Sequence, residues 1–271
     1  MALMQEALED LKDPSIRHIF PISGGKDSAA LAVYMKTHYP QVPFEFLFTD
    51  TDCELPETYE FLERLEALLG VKIHRTSILD YMPIQKKEGR GAFDILLNER
   101  YGGYLPSPRS RWCTAALKIK TFEKFVGDSI AYSYIGLRAD EEGRQGYVPK
   151  KPPVFSQKPN IRPVYPFREA RLQIDDIKEI LDDSGLGLPK YYEWRSRSGC
   201  YFCFYQQIGE WQGLKERHPE LFEKAKTYEK TGGDKSFTWV DGRSLTELEK
   251  ISLRYKIQDV NEAEGCAICH I

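Results

Sequence analysis

Two stretches of this chain carry residues whose types and spacing could do chemistry. The first is Ser23-Gly24-Gly25-Lys26-Asp27-Ser28, six consecutive residues between two apolar segments. Glycines let a backbone approach an anion with no Cβ in the way, and they tolerate unusual φ/ψ. Successive N–H groups at a helix start concentrate positive potential. Two serine hydroxyls and the Lys26 ammonium add donors and charge. Those parts suit a pyrophosphate or a triphosphate. The spacing is neither the Walker A nor the Rossmann one. The plainer alternative is a strand-to-helix turn that Asp27 or Ser28 merely caps. The second stretch is Cys200-x-x-Cys203, set after a glycine in the aromatic, basic segment "YYEWRSRSGCYFCFYQQ". A CxxC pair points to a metal site or a redox pair; the plainer alternative is two unligated thiols in a loop.

The flanking patterns supply a frame for both. "HIFPIS" reads as a short apolar strand ending at the loop, and "AALAVYMKTHY" as the helix leaving it. "FEFLFTD" is a second strand whose polar end carries Asp50 and Thr51. "PETYEFLERLEALLG" is the clearest helix: Pro56 suits a first turn, Leu62, Leu65, Leu68 and Leu69 are placed on one face, and Gly70 ends it. "VKIHRTS" and "SIAYSYIGL" are a third and a fourth strand. Strands alternating with helices predict an α/β fold, a doubly wound parallel sheet that binds ligands at the carboxyl ends of its strands. From about Pro149 the texture changes. "PKKPPVFSQKPNIRPVYPF" reads as loop or extended chain, and "QIDDIKEILDDSG", "GEWQGLKERHPELFEKAKTYEK" and "SLTELEKISLRYK" as helices. Residues 1–148 are therefore expected to form the nucleotide-binding α/β domain. Residues 149–271 are expected to form a helical, cysteine-containing C-terminal subdomain closing over the sheet's edge.

Bulk composition narrows the class. With 271 residues, 41% hydrophobic and 29% charged, the chain can bury a sizeable core. Its net charge of −3 supplies no global basic field for nucleic acid. Basic stretches such as "QKKEGRGAF" and "EWRSRSG" leave a nucleic-acid acceptor open, against the alternative of solvated surface. The N-terminal "MALMQEALEDLKDPS" reads as neither a signal nor a transit peptide. No apolar run reaches the roughly 20 residues of a membrane span. The expectation is a cytoplasmic protein without a membrane partner, its six cysteines reduced, redox-active or metal-bound.

The hexapeptide resembles the SGGxDS signature of the PP-loop ATP pyrophosphatases, which cleave ATP between its α and β phosphates. Three later segments are similar to the phosphoadenylyl-sulfate (PAPS) reductase branch of that superfamily, in the same order: "RWCT" at residues 111–114, "GLRADEEGR" at 136–144 and "SGCYFC" at 198–203. That branch includes the sulfur-transfer enzymes of DNA phosphorothioation. The resemblance implies an adenine-nucleotide α-hydrolase-type sheet. It implies a pyrophosphate cradle at Ser23, Gly24, Gly25, Lys26, Asp27 and Ser28, with Asp50 and Thr51 near the adenosine and Mg²⁺ accompanying ATP. It places Arg138 and Arg144 on phosphate or sulfate oxygens, where guanidinium forks suit bidentate contact. A surface ion cluster with Asp140, Glu141 and Glu142 is the plainer role for Arg138. Catalysis would rest on Lys26, Asp27 and Arg138.

The resemblance also makes Cys113 a third ligand beside Cys200 and Cys203 for a [4Fe–4S] cluster; a Zn²⁺ site of Cys200 and Cys203 with Cys266 and Cys269 is the alternative. Cluster-binding relatives have a cysteine pair where this chain has Cys113-Thr114, so Cys266 or Cys269 of the C-terminal "GCAICHI" is the candidate fourth ligand. A redox tail is the alternative. The implied activity is adenylation of an acceptor by ATP, with pyrophosphate release and sulfur transfer from a donor protein. Two alternatives stand beside it: a sulfonucleotide reductase releasing sulfite through Cys266 or Cys269, and a non-catalytic adenine-nucleotide-binding subunit of a larger complex.

Overall fold

The computed structural model describes residues 3–82, 90–141, 156–231, 236–251 and 253–257. Arg144, Cys266, Cys269 and the expected domain boundary at 148/149 lie outside them. Five strands, β1 (Arg17–Ile22), β2 (Phe44–Thr49), β3 (Ile73–Thr76), β4 (Ala131–Tyr134) and β5 (Ile161–Val164), form one sheet. All its pairings are parallel and its order is β3-β2-β1-β4-β5. The helices are α1 (Met4–Glu9), α2 (Lys26–His38), α3 (Pro56–Leu69), α4 (Ala92–Ile95), α5 (Lys120–Val126), α6 (Pro166–Glu169), α7 (Ile174–Asp183), α8 (Ile208–Arg217), α9 (Pro219–Thr227) and α10 (Leu245–Leu248).

Alternation along the central strands sorts side chains onto two faces. Phe20, Ile22, Phe46 and Phe48 face α2, α3 and α7, whose Leu31, Met35, Phe61, Leu65, Ile177 and Leu181 complete one core. Ile19 and Leu47 face the other side, against Phe122 and Val126 of α5. This is the doubly wound arrangement that the strand–helix alternation predicts. The run Ala29-Ala30-Leu31-Ala32 is fully buried, so α2 lies close to the sheet. In α3, Leu62 and Leu65 are buried but Leu68 is 42% exposed, so Leu68 lies off the buried stripe expected for it. Gly70 ends α3 in the left-handed conformation, φ 60°.

β5 comes from the proline-rich stretch that the sequence marks as loop or extended chain. Pro163 is tolerated there because β5 is an edge strand, with one side of its backbone unpaired. The sheet therefore draws on residues either side of 148, and α7 packs against α2. The remaining C-terminal helices form a third core with Leu55, Ile78, Phe93 and Trp112, built around Trp194, Phe202, Trp211, Phe222 and Trp239. Leu55 and Ile78 follow the ends of β2 and β3, so this layer caps the carboxyl ends of the strands rather than a lateral edge. His218-Pro219 divides the long helical pattern into α8 and α9, and the last pattern yields only the single turn of α10.

Candidate functional site

The sheet order changes direction between β1 and β4, and the site grows from the ends of these two strands. β1 runs directly into Ser23–Gly25 and then α2. Gly24 has φ +73°, and a methyl there would lie 2.5 Å from the Thr58 side chain. Gly25 has ordinary extended geometry, φ −102° and ψ 168°. It must be glycine for a different reason: a methyl at 25 would sit 2.6 Å from Ser198 Oγ. The loop is internally braced. Ser23 N and Gly25 N donate to Ser28 Oγ and Ser23 Oγ at 3.1 and 3.3 Å, and Ser28 Oγ donates to the Gly25 carbonyl at 3.2 Å. Tyr191 hydroxyl donates to the Gly24 carbonyl at 2.7 Å, clamping the turn from the C-terminal layer.

Arg138 reaches this loop from the end of β4. Gly136 lets that segment approach closely, since a methyl there would lie 3.1 Å from the Asp27 carbonyl. The Arg138 guanidinium is 2% exposed and contacts Asp27 at 2.5 Å, Asp140 at 2.9 Å and Glu141 at 3.3 Å. Lys26 Nζ donates to Asp27 Oδ2 at 3.1 Å and lies over the Tyr192 ring. Burial pulls the Lys26 pKa down, but Tyr192 and Asp27 outweigh it and the net shift is upward. For Arg138 burial also opposes the charge, and Asp27 and Glu141 prevail. Both cations are thus held charged beside the loop. The alternative of a surface cluster at Arg138 gives way to a buried ion network that includes the loop's own aspartate.

Asp50 and Thr51 diverge. Asp50 Oδ1 accepts from Asp52 N at 2.8 Å and from the Tyr59 hydroxyl at 2.9 Å, and burial raises its pKa. Thr51 turns the other way. Its hydroxyl donates to Glu54 Oε1 at 2.8 Å and lies 3.3 Å from Cys200 Sγ.

Thr51 thereby lines a small cavity of about 40 Å³ together with Cys113, Cys200, Cys203, Lys118 and Ser198. The sequence separates these cysteines by 87 residues, yet the fold brings all three to one pocket. Cys113 precedes a π-helical segment, Thr114–Ile119, that runs into α5 and carries Lys118. Arg195 donates to the carbonyls of Gly199 and Cys200 at 3.1 and 3.2 Å and fixes the CxxC segment. Burial raises the Cys200 thiol pKa well above its usual value, and Glu54 adds to this. Cys53 is fully buried, with its pKa likewise raised by burial.

The donor types suit a thiolate-bound metal. However, no three or more Cys, His, Asp or Glu side chains are arranged around one point among the described residues. Three thiolates also fall one short of the four that structural zinc and iron–sulfur sites use. No step is therefore derived through a metal at this pocket.

The sequence pattern gave no role to Glu54, Ser198, Tyr191 or Arg195. Tyr191 meets Gly24 from 167 residues away, and Ser198 stood out only as the first residue of "SGCYFC".

A strand-end glycine loop, an arginine returning from the neighbouring strand and a cysteine pocket beside them agree with a sequence-family match. The model of the phosphoadenosine phosphosulfate reductase domain matches residues 17–193. The chain belongs to this family. Two relatives are uncharacterized proteins of Methanocaldococcus jannaschii, 23% and 22% identical, each match covering 83% of this chain. This chain spans only 43% and 50% of their lengths. A protein of Escherichia phage 186 is 24% identical, with 79% of this chain and 74% of that protein covered. Among solved structures, a PAPS reductase from Candida auris in a phosphate complex is similar at 14% identity and a TM-score of 0.48. That match covers 72% of this chain and 87% of the reductase. A tRNA thiolase of Methanococcus maripaludis, solved with its [4Fe–4S] cluster, is similar at 15% identity and a TM-score of 0.45. It covers 79% of this chain and 70% of that one. Among the described residues, no helix is long and apolar enough to cross a membrane.

Proposed function

We propose that this member of the PAPS reductase family binds ATP and adenylates an acceptor, which a sulfur nucleophile then attacks. The observation that carries this reading is the intact Ser23–Ser28 loop, built at the sheet's switch point and joined to Arg138. An acceptor oxygen attacks the α-phosphorus, the bond to the bridging α–β oxygen breaks, and pyrophosphate leaves with the electron pair. Hydrosulfide supplied by the donor then attacks the activated acceptor atom, the bond from that atom to the adenylated oxygen breaks, AMP leaves with the electron pair, and the acceptor is left as its thiol. In this reading the loop N–H groups, Ser23, Ser28 and Lys26 hold the leaving pyrophosphate, and Arg138 stabilises charge as the bond breaks. Asp27 orients Lys26 and Arg138. Mg²⁺ accompanying ATP would neutralise charge between the phosphates. The carboxylates of Asp27, Asp140 and Glu141 are each engaged with Arg138.

The pocket of Cys113, Cys200 and Cys203 is the place for sulfur. A metal there, [4Fe–4S] or zinc, requires a fourth ligand such as Cys266 or Cys269. A cytoplasmic setting, a sulfur-donor protein and a nucleic-acid acceptor complete the proposal. Purified protein given ATP, Mg²⁺ and candidate acceptors is expected to release AMP and pyrophosphate. Release of ADP and phosphate would overturn the reading. Intact nucleotide bound with every acceptor would move weight to a binding subunit, and sulfite release from PAPS to a reductase.

A further inference from the structure

We infer that Ser198 is a further ligand of the anion held by the loop, its hydroxyl donating to a phosphate oxygen of the bound pyrophosphate group. The inference rests on the reading of Ser23–Ser28 as a phosphate cradle and extends it to a residue of the cysteine segment.

Three observations meet at this side chain. Ser198 is 3% exposed, yet its Oγ has no hydrogen-bond partner. A buried hydroxyl left unpaired is costly, and such groups in folded proteins call for an explanation. Its position supplies one. Ser198 Oγ lies against Gly25, the residue that N-caps the thirteen-residue α2, and Gly25 brings no side-chain cap to that helix start. The N-terminal N–H groups of a helix attract anions, and an unpaired hydroxyl beside them adds a donor from the opposite side. The segment is also rigid, since Arg195 holds the carbonyls of Gly199 and Cys200 and Ser196 N donates to Glu210 Oε1 at 2.6 Å. The hydroxyl is therefore presented at a fixed place.

Ser198 also lines the cavity shared by Cys113, Cys200 and Cys203. One short segment would then touch the nucleotide's phosphates with residue 198 and the sulfur pocket with residues 200 and 203. The two sites then share one segment.

The test is calorimetric titration of the full chain with inorganic pyrophosphate and with Mg²⁺–ATP, alongside thermal melting. Ser198→Ala is expected to bind both about tenfold or more weakly, the scale of one lost hydrogen bond to a charged group. Its Tm should be unchanged or higher, because the variant removes an unpaired buried hydroxyl. Ser198→Cys, similar in shape and a weak donor, should fall between. Wild-type affinity in Ser198→Ala overturns the inference and leaves the loop reading standing. A clear drop in Tm also overturns it, by showing that the hydroxyl has a structural partner. If the wild-type chain binds neither pyrophosphate nor ATP, the loop reading itself fails, and this inference with it.

Discussion

The Ser23–Ser28 loop and the cysteine pocket lie side by side but are built in opposite ways. The loop is six consecutive residues whose polar groups are braced by one another and by Arg138. The pocket gathers Thr51, Cys113, Lys118, Cys200, Cys203 and Trp239 from distant parts of the chain. In the loop, charge persists despite burial because each ion has an opposite partner. In the pocket, burial and Glu54 together outweigh Lys118 and raise the pKa of the Cys200 thiol. The loop's ions are held by direct pairing at a strand end, and the pocket by the packing of segments distant in sequence.

The most forceful way to break that contrast is to unpair the loop's ion network. Arg138→Ala leaves Asp27 and Glu141 buried without their cation and is expected to cost about 3–5 kcal/mol in urea denaturation. A loss below about 1 kcal/mol would mean that these charges are solvated after all.

The pocket offers a second test. In chelator-treated native protein at pH 8, Cys53 and Cys200 should alkylate at least about tenfold more slowly than an ordinary exposed thiol, since the thiolate is the reactive form. Mass-spectrometric mapping should show both modified readily once the chain is unfolded. Fast labelling of Cys200 in the native state would erase the difference between the two regions.

The smallest effect is expected at Asp50, on the β2 end between them. Its folded pKa is raised, chiefly by burial, so the folded state keeps this proton to higher pH than the unfolded chain does. That contribution to stability is full below the unfolded value, near 3.9, and fades as pH rises through the folded value. Asp50→Asn should therefore gain on the wild type as pH rises from the unfolded value through the folded one. Parallel stability curves for the two proteins across that range would show Asp50 to be freely solvated.

Much of the fold was legible because its signals are local. β1, the loop and α2 follow one another without interruption, and Pro56 and Gly70 bracket α3 as their backbone preferences require. β5 was not legible, because its prolines speak against a strand unless the strand is at an edge, and edge position is a property of the whole sheet. Leu68 shows the same limit. Hydrophobicity placed it with Leu62 and Leu65, but only the neighbours of α3 decide how wide its buried stripe is.

The sequence by itself determined the loop, the alternating frame and membership in a sulfur-related family, since each is written in contiguous residues or in motif order. Tertiary structure alone decided which residues those motifs meet. It turned Thr51 away from Asp50 and toward Cys200, buried Arg138 against Asp27, drew Cys113 to the CxxC pair, and set Ser198 against Gly25. Each of these contacts joins segments separated by between 87 and 173 residues, apart from the turn at Thr51 itself. The physical reason is that pairing and burial depend on what packs nearby in space, and the parallel sheet brings its strand ends together however far apart they lie along the chain.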